Sequence, residues 1–182
     1  MRNSIKSNNS ARVKMLAYMA MMLAVMIVLS MIERLLPPPV PMAPTVRLGL
    51  SNVMTMYALF FLGRSQAFTL TASKALFITL IRGPMAGVVS AAAGLFSLLV
   101  IIVLLFASRG RGSYIILSVA GATAHNFAQL PVISLFPGAP PLGLMMAASW
   151  PFLLIFGIIF GAVTGTVLRV VMPYMDRLFI KR

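Results

Sequence analysis

Long apolar segments, separated by short loops rich in proline, glycine or arginine, most constrain what this chain can fold into. The longer segments cover residues 15–36, 84–107, 113–135 and 144–172. Each reaches or exceeds the roughly twenty residues that a helix needs to cross a bilayer. With 60% hydrophobic and 9% charged residues, the chain has more apolar surface than a soluble domain of this size can bury. The sequence therefore predicts an integral membrane protein.

Two shorter apolar segments, residues 47–62 and 66–81, complete a predicted six-helix bundle. They form either two short crossings or one re-entrant hairpin, and both arrangements return the chain to the same side of the membrane. The prolines of residues 37–44 exclude a helix, because proline fixes φ and lacks the amide donor, so an extended loop is expected up to Thr45. The fold class is an all-α integral membrane protein with one six-helix domain, residues 15–176.

Basic residues predict the orientation of this bundle. Residues 1–14 are expected to form a disordered basic tail and residues 177–182 a second basic end. Because Lys and Arg concentrate in cytoplasmic loops, placing both termini in the cytoplasm leaves few arginines outside. The proline-rich loop is then expected on the external side.

Composition also excludes several classes of function. A net charge of +13 is not accompanied by a nucleic-acid recognition element. Cysteine is absent, and Glu33 and Asp176 are the only carboxylates, which argues against thiolate or Mg²⁺ sites and paired-acid catalysis. The sequence has no GxxxxGK[ST] motif to bind ATP. No enzyme activity, cofactor or resident metal is expected, and uphill transport requires another subunit or an ion gradient.

Several polar residues lie within the apolar segments, where an uncompensated polar group costs several kcal/mol. His125 and Gln129 share one helical face with Ser118 and Gly121, which indicates either a ligand site or interhelical hydrogen bonds. Lys74 lies midway along its helix with no carboxylate expected at that depth, so it is predicted to face a ligand.

Together these groups predict an anion site in the outer half of the bundle. Phosphate, diphosphate or carboxylate would suit charge-assisted hydrogen bonds from Arg and Lys. Arg82 is alternatively an anchor at the membrane interface. The candidate ligand-binding residues are Arg47, Asn52, Lys74, Arg82, His125, Asn126 and Gln129.

Small residues at four-residue spacing predict close helix packing. Gly157, Gly161 and Gly165 are expected to pack within the bundle. Ala20 and Ala24 either pack within the bundle or dock a partner subunit.

Residues 48–55 (LGLSNVMT) and 121–130 (GATAHNFAQL) resemble the Gx transporters, a small membrane family also labelled heptaprenyl diphosphate synthase component I. In that family a GLxN motif opens helix 2, matching Gly49, Leu50 and Asn52, and an HNxxQ motif matches His125, Asn126 and Gln129. The basic residue of helix 3 is usually arginine there, so Lys74 departs from the pattern.

This family is similar to the S components of energy-coupling factor (ECF) transporters, which capture a micronutrient at the prokaryotic plasma membrane. The resemblance implies a small anionic or amphipathic solute, a transmembrane coupling subunit and two ATPase subunits as partners. It also implies docking through Ala20 and Ala24 and closure of the loop 37–45 over the solute.

Two other functions remain open at this point. One is an accessory membrane subunit of an isoprenoid, quinone or flavin-linked redox assembly. The other is an ion-coupled carrier acting alone, which is disfavoured because neither carboxylate is expected at mid-membrane. The synthase label conflicts with the residues, because prenyl diphosphate synthases hold Mg²⁺ through aspartate-rich motifs and this chain has one aspartate.

Overall fold

Helices account for almost all of the chain that the computed structural model describes, which is residues 2–35, 50–109 and 112–180. Side chains are described for residues 12–33, 35, 50–109, 112–171 and 173. Within these residues there are six helices, as the sequence predicts. They are α1 Arg2–Leu35, α2 Asn52–Phe61, α3 Arg64–Arg82, α4 Pro84–Ala107, α5 Tyr114–Ser134 and α6 Leu142–Ile180.

The first and last helices are longer than predicted. The expectation of a disordered tail over residues 1–14 is wrong for residues 2–14, because α1 begins at Arg2. No proline or glycine lies in that stretch to interrupt the backbone hydrogen bonds. At the other end, α6 continues through Pro173 to Ile180 rather than ending near residue 172. Both extensions are helical in backbone; residues 2–14 are basic, whereas residues 173–180 contain one arginine and one aspartate.

The second helix is shorter than predicted. Residues 47–62 were expected to be helical, but Leu50 and Ser51 form a turn and α2 begins only at Asn52. Its 10 residues rise about 15 Å, half of the hydrocarbon thickness. The 19 residues of α3 are long enough to cross, with a rise of about 28 Å. The expected loop 37–45 lies outside the described residues.

Three stretches of the described chain are long and apolar enough to cross a membrane: Arg12–Glu33, Pro84–Ala107 and Leu142–Val171. These lie in α1, α4 and α6. The helices α3 and α5 have 19 and 21 residues, but they carry the buried polar side chains described below. The structure is therefore that of a membrane protein in which apolar helices accompany two helices of mixed polarity.

Close helix contacts fix the order of the bundle. The helices α3, α4, α5 and α6 pack in sequence order, and α5 and α6 share the most extensive contact. A Cβ atom added to Gly157 would lie 2.8 Å from the Cα atom of Thr123. Added Cβ atoms at Gly161 and Gly165 would collide with the backbone of Val119 and Ile115. The predicted packing of the glycine ladder within the bundle is confirmed.

Two apolar cores lie at opposite ends of the bundle. One contains Met26, Leu59, Leu117 and Leu168, and the other contains Val89, Leu130, Ile133, Met145 and Leu153. Because α1 runs through the first core toward Glu33 and α6 returns from the second core to the first, the beginning of α1 and the end of α6 lie at the same end of the bundle. The polar cavity described next lies toward the opposite end.

Candidate functional site

A polar cavity of about 40 Å³ lies among the first five helices. The residues that line it come from the last turns of α1, the residue preceding α2, the second half of α3, the start of α4 and the second half of α5. They are Ser30, Glu33, Ser51, Lys74, Ile78, Arg82, Ala86, Val89, Ser90, Ala93, His125 and Gln129. Four predicted ligand-binding residues, Lys74, Arg82, His125 and Gln129, therefore share one cavity.

A larger cavity of about 280 Å³ lies between α1, α2 and α6. Among the described residues, its lining consists of methionine, valine, leucine and aromatic side chains, and the hydroxyl groups of Tyr18 and Tyr57 are its only polar side-chain groups. Such a lining offers no charged side chain to pair with an ionic group. The smaller polar cavity is the candidate functional site.

Three charged side chains lie in this cavity. Lys74 is 6% exposed and Glu33 4% exposed, whereas Arg82 is half-buried. Lys74 interacts electrostatically with both Glu33 and Arg82. The expectation that no carboxylate lies near Lys74 is therefore wrong. Because α1 packs alongside α3, the last turn of α1 brings Glu33 to the cation.

The imidazole and amide of α5 project from successive turns of that helix. His125 and Gln129 are spaced four residues apart, so both side chains reach the same face. The His125 ring forms a hydrogen bond with the backbone of Ala93 on α4, while its Nδ1 atom has no hydrogen-bond partner among the described residues. Gln129 is already engaged by a neighbouring group.

The start of α2 adds a second buried polar group that has no hydrogen-bond partner among the described residues. Ser51 is the N-terminal capping residue, is 1% exposed and lines the cavity. Its Oγ atom does not cap the helix and has no partner among the described residues. Since the N-terminus of a helix carries free amide groups and a partial positive charge, the cavity meets the positive end of α2. A bound solute is the simplest hydrogen-bond partner for the Ser51 Oγ and His125 Nδ1 atoms.

Asn52 does not line the cavity, although it was predicted to bind ligand. Its Nδ2 atom donates to the Ser97 hydroxyl at 3.1 Å. The Ser97 hydroxyl in turn donates to the Gly121 carbonyl at 2.7 Å. The asparagine therefore joins α2 to α4 and α5, and it holds the adjacent Ser51 at the cavity.

Asn126 also lies away from the cavity lining. Its Nδ2 atom donates to the Leu153 carbonyl of α6 at 3.1 Å, while its Oδ1 atom is buried without a partner among the described residues. The small-residue notch at Gly121 is filled by protein, since an added Cβ atom would lie 2.5 Å from Met56 and Ile101 side-chain atoms. Arg47, the remaining predicted ligand-binding residue, lies outside the described residues.

Ala20 and Ala24 lie on an exposed side of α1. Of the two alternatives left by the sequence, packing within the bundle is therefore wrong for this pair. The exposed side also includes Met21, Val25 and Val28. This face of α1 meets lipid or another protein in the membrane.

Glu33 is the site residue that the sequence analysis missed. In the sequence, Glu33 lies near the end of the apolar segment 15–36, where a carboxylate is ordinarily exposed to solvent. One signal was present: Glu33 is one of only two carboxylates in a chain with fifteen Lys and Arg residues. Ser51 was not among the predicted ligand-binding residues, because its burial depends on the late start of α2.

Comparison with known proteins gives one family. The family described as heptaprenyl diphosphate synthase component I matches residues 22–171, which is most of the 182-residue chain. No curated protein matches the sequence. The matched region includes every described residue of the cavity lining.

Proposed function

The chain belongs to the heptaprenyl diphosphate synthase component I family, and we propose that it is the solute-capturing S component of an ECF-type uptake transporter. The observation that carries the proposal is the cavity itself. Lys74, Arg82 and His125 converge inside an apolar bundle together with orphaned polar atoms. Intramembrane ionisable groups of this kind mark solute pathways, because their burial is costly without a function.

The chemistry of the lining favours an anionic solute. Two cations, the N-terminus of α2 and the Ser51 hydroxyl all stabilise negative charge, and the low dielectric of the bundle strengthens these interactions. A volume of about 40 Å³ is far below the 300–1,000 Å³ of typical small-molecule pockets. It accommodates the charged head of a small amphipathic solute rather than a whole vitamin.

The position of the cavity supports capture from outside. It lies toward the end of the bundle opposite both termini, and the basic loops assign the termini to the cytoplasm. We place the protein in the plasma membrane of a prokaryote. The apolar exposed side of α1, which carries Ala20 and Ala24, is the proposed docking surface for the coupling subunit.

We expect partner subunits to supply the energy for transport, and we expect no catalysis by this chain. The sequence contains no P-loop, so two partner ATPase subunits would drive release of the solute. We propose that the chain is not an enzyme. Its two carboxylates lie at Glu33 and Asp176, near the ends of the first and last helices, and do not provide an aspartate-rich Mg²⁺ site for prenyl transfer.

Purification of the tagged full chain from its own membranes tests this proposal. We expect copurification of a transmembrane coupling subunit and two ATPases, together with ATP-dependent uptake in reconstituted vesicles. A complex with isoprenoid, quinone or flavin enzymes and no ATPase would contradict the proposal and would support the accessory-subunit alternative. Substitution of Ala20 and Ala24 by leucine should release the ATPases while leaving the cavity intact.

A further inference from the structure

The charges that face the cavity do not cancel. Among the described lining residues, Glu33 contributes one negative charge, and Lys74 and Arg82 contribute two positive charges. His125 is neutral in the formal charge of the chain. The formal charge of the described lining is therefore +1, whichever of the two cations Glu33 contacts more closely.

An unbalanced charge in a low-dielectric site is unfavourable, and the cost rises with each uncompensated unit. A guest group with one negative charge leaves the described lining neutral. A group with two negative charges leaves one of them unmatched, beside the Glu33 carboxylate. The N-terminus of α2 adds only about half a positive charge, which is too little to balance a second negative charge.

The size of the cavity agrees with a small head group. A volume of about 40 Å³ holds roughly three water molecules, taking about 10–15 Å³ for each. A carboxylate has a similar extent and two oxygens. Those oxygens can accept hydrogen bonds from the Lys74 ammonium and the Ser51 hydroxyl, which lie on different helices around the same space.

We propose that Glu33 sets the charge of the guest, so that the cavity selects a group with a single negative charge, such as a carboxylate, over a phosphate dianion or a diphosphate. This inference rests on the proposed function, because it assumes that the cavity binds a solute. Glu33 acts as a specificity residue: it offsets one cation permanently and leaves one for the guest.

Matched anions provide the test on the purified full chain. Methanesulfonate and sulfate share a tetrahedral sulfur but carry one and two negative charges, and acetate supplies a carboxylate. Ligand-induced thermal stabilisation gives the relative affinities. Each anion can raise the melting temperature, but only the part of that shift that is lost in Lys74→Met counts as binding in the cavity. Sulfate also stabilises proteins by exclusion from their surface.

We expect the wild-type protein to prefer methanesulfonate and acetate to sulfate by at least about tenfold. In Glu33→Gln the lining carries +2 and the preference should reverse toward sulfate. Glu33→Asp keeps the charge and should keep the wild-type preference. Asp176→Asn is the matched control, since it removes the other carboxylate of the chain from the far end of α6.

The experiment distinguishes a failure of the proposed role of Glu33 from a failure of the proposed function. If Lys74→Met removes the shift but Glu33→Gln keeps the wild-type preference, the proposed function stands and the role of Glu33 is overturned. A changed preference in Glu33→Asp or Asp176→Asn would overturn it as well. If Lys74→Met leaves the shift of every anion unchanged, the cavity does not bind anions, and the proposed function fails with the inference.

Discussion

Several polar side chains of this protein hold helices together, whereas others face the cavity. Ser97 belongs to the first group, because it accepts from Asn52 and donates to the Gly121 carbonyl. His125 belongs to the second, since one ring nitrogen is anchored on α4 and the other has no partner among the described residues. The division follows from hydrogen bonds rather than from residue type.

Ser97→Ala tests the structural group. The substitution leaves the Asn52 amide without its acceptor, so we expect a loss of about 1–2 kcal/mol in the free energy of unfolding. Ser134→Ala is the matched control, because Ser134 is only partly buried and donates to the Pro131 carbonyl of its own helix. Thermal unfolding in detergent measures both variants. Equal stability of the two would show that the Asn52–Ser97–Gly121 connection contributes nothing.

The sequence identifies the residues that line the cavity only in part. Lys74 and His125 could be predicted because an ionisable group amid apolar neighbours needs a polar surrounding. Asn52 and Asn126 appear equivalent to them in sequence, yet their amides bond Ser97 and the Leu153 carbonyl. Which polar group pairs with which depends on helix contacts between distant segments, and no local pattern contains that information.

At the scale of helices, the glycine ladder sets the separation of α5 and α6. Gly161→Ala would place a Cβ atom against the Val119 backbone, which cannot move away as a flexible side chain can. We expect overpacking to cost about 1–3 kcal/mol. Gly143→Ala is the matched control on the same helix, because nothing lies within 4 Å of its added Cβ atom. An equal decrease of the melting temperature in both variants would contradict close packing at Gly161.

Helix boundaries were predictable where the sequence contains a strong stop or start signal. Pro84 begins α4, and the structure ends that helix at Ala107, the residue that the sequence predicts. No such signal marks the start of α2, since the segment from Arg47 onward has a helical pattern but the chain turns at Leu50 and Ser51. Ser51 is drawn into the protein interior there, a tertiary effect that propensity does not encode.

The whole bundle places the loop between α5 and α6 at one end and the loop between α4 and α5 at the other, together with the beginning of α1 and the end of α6. Because the chain contains no cysteine, each introduced thiol is the only one present. We expect a membrane-impermeant thiol reagent to label Pro137→Cys on intact cells. Lys14→Cys and Ser113→Cys should react only after the cells are opened.

Different accessibility of Lys14→Cys and Ser113→Cys would contradict the arrangement of the helices. Labelling of both from outside would instead reverse the assigned orientation. The alternation of the helices was predictable from their number. The position of Glu33 beside Lys74 was not, because it depends on how α1 packs against α3, and the segment that joins α1 to α2 does not determine that packing.

Native mass spectrometry of the protein purified from its own membranes tests most directly whether the cations of the cavity receive an anionic solute. We expect the wild-type protein to retain a small anionic molecule. Lys74→Met should fold but lose that molecule, whereas Lys14→Met, which removes an exposed lysine of α1, should retain it. Equal retention of the same molecule by wild type and Lys74→Met would contradict the account.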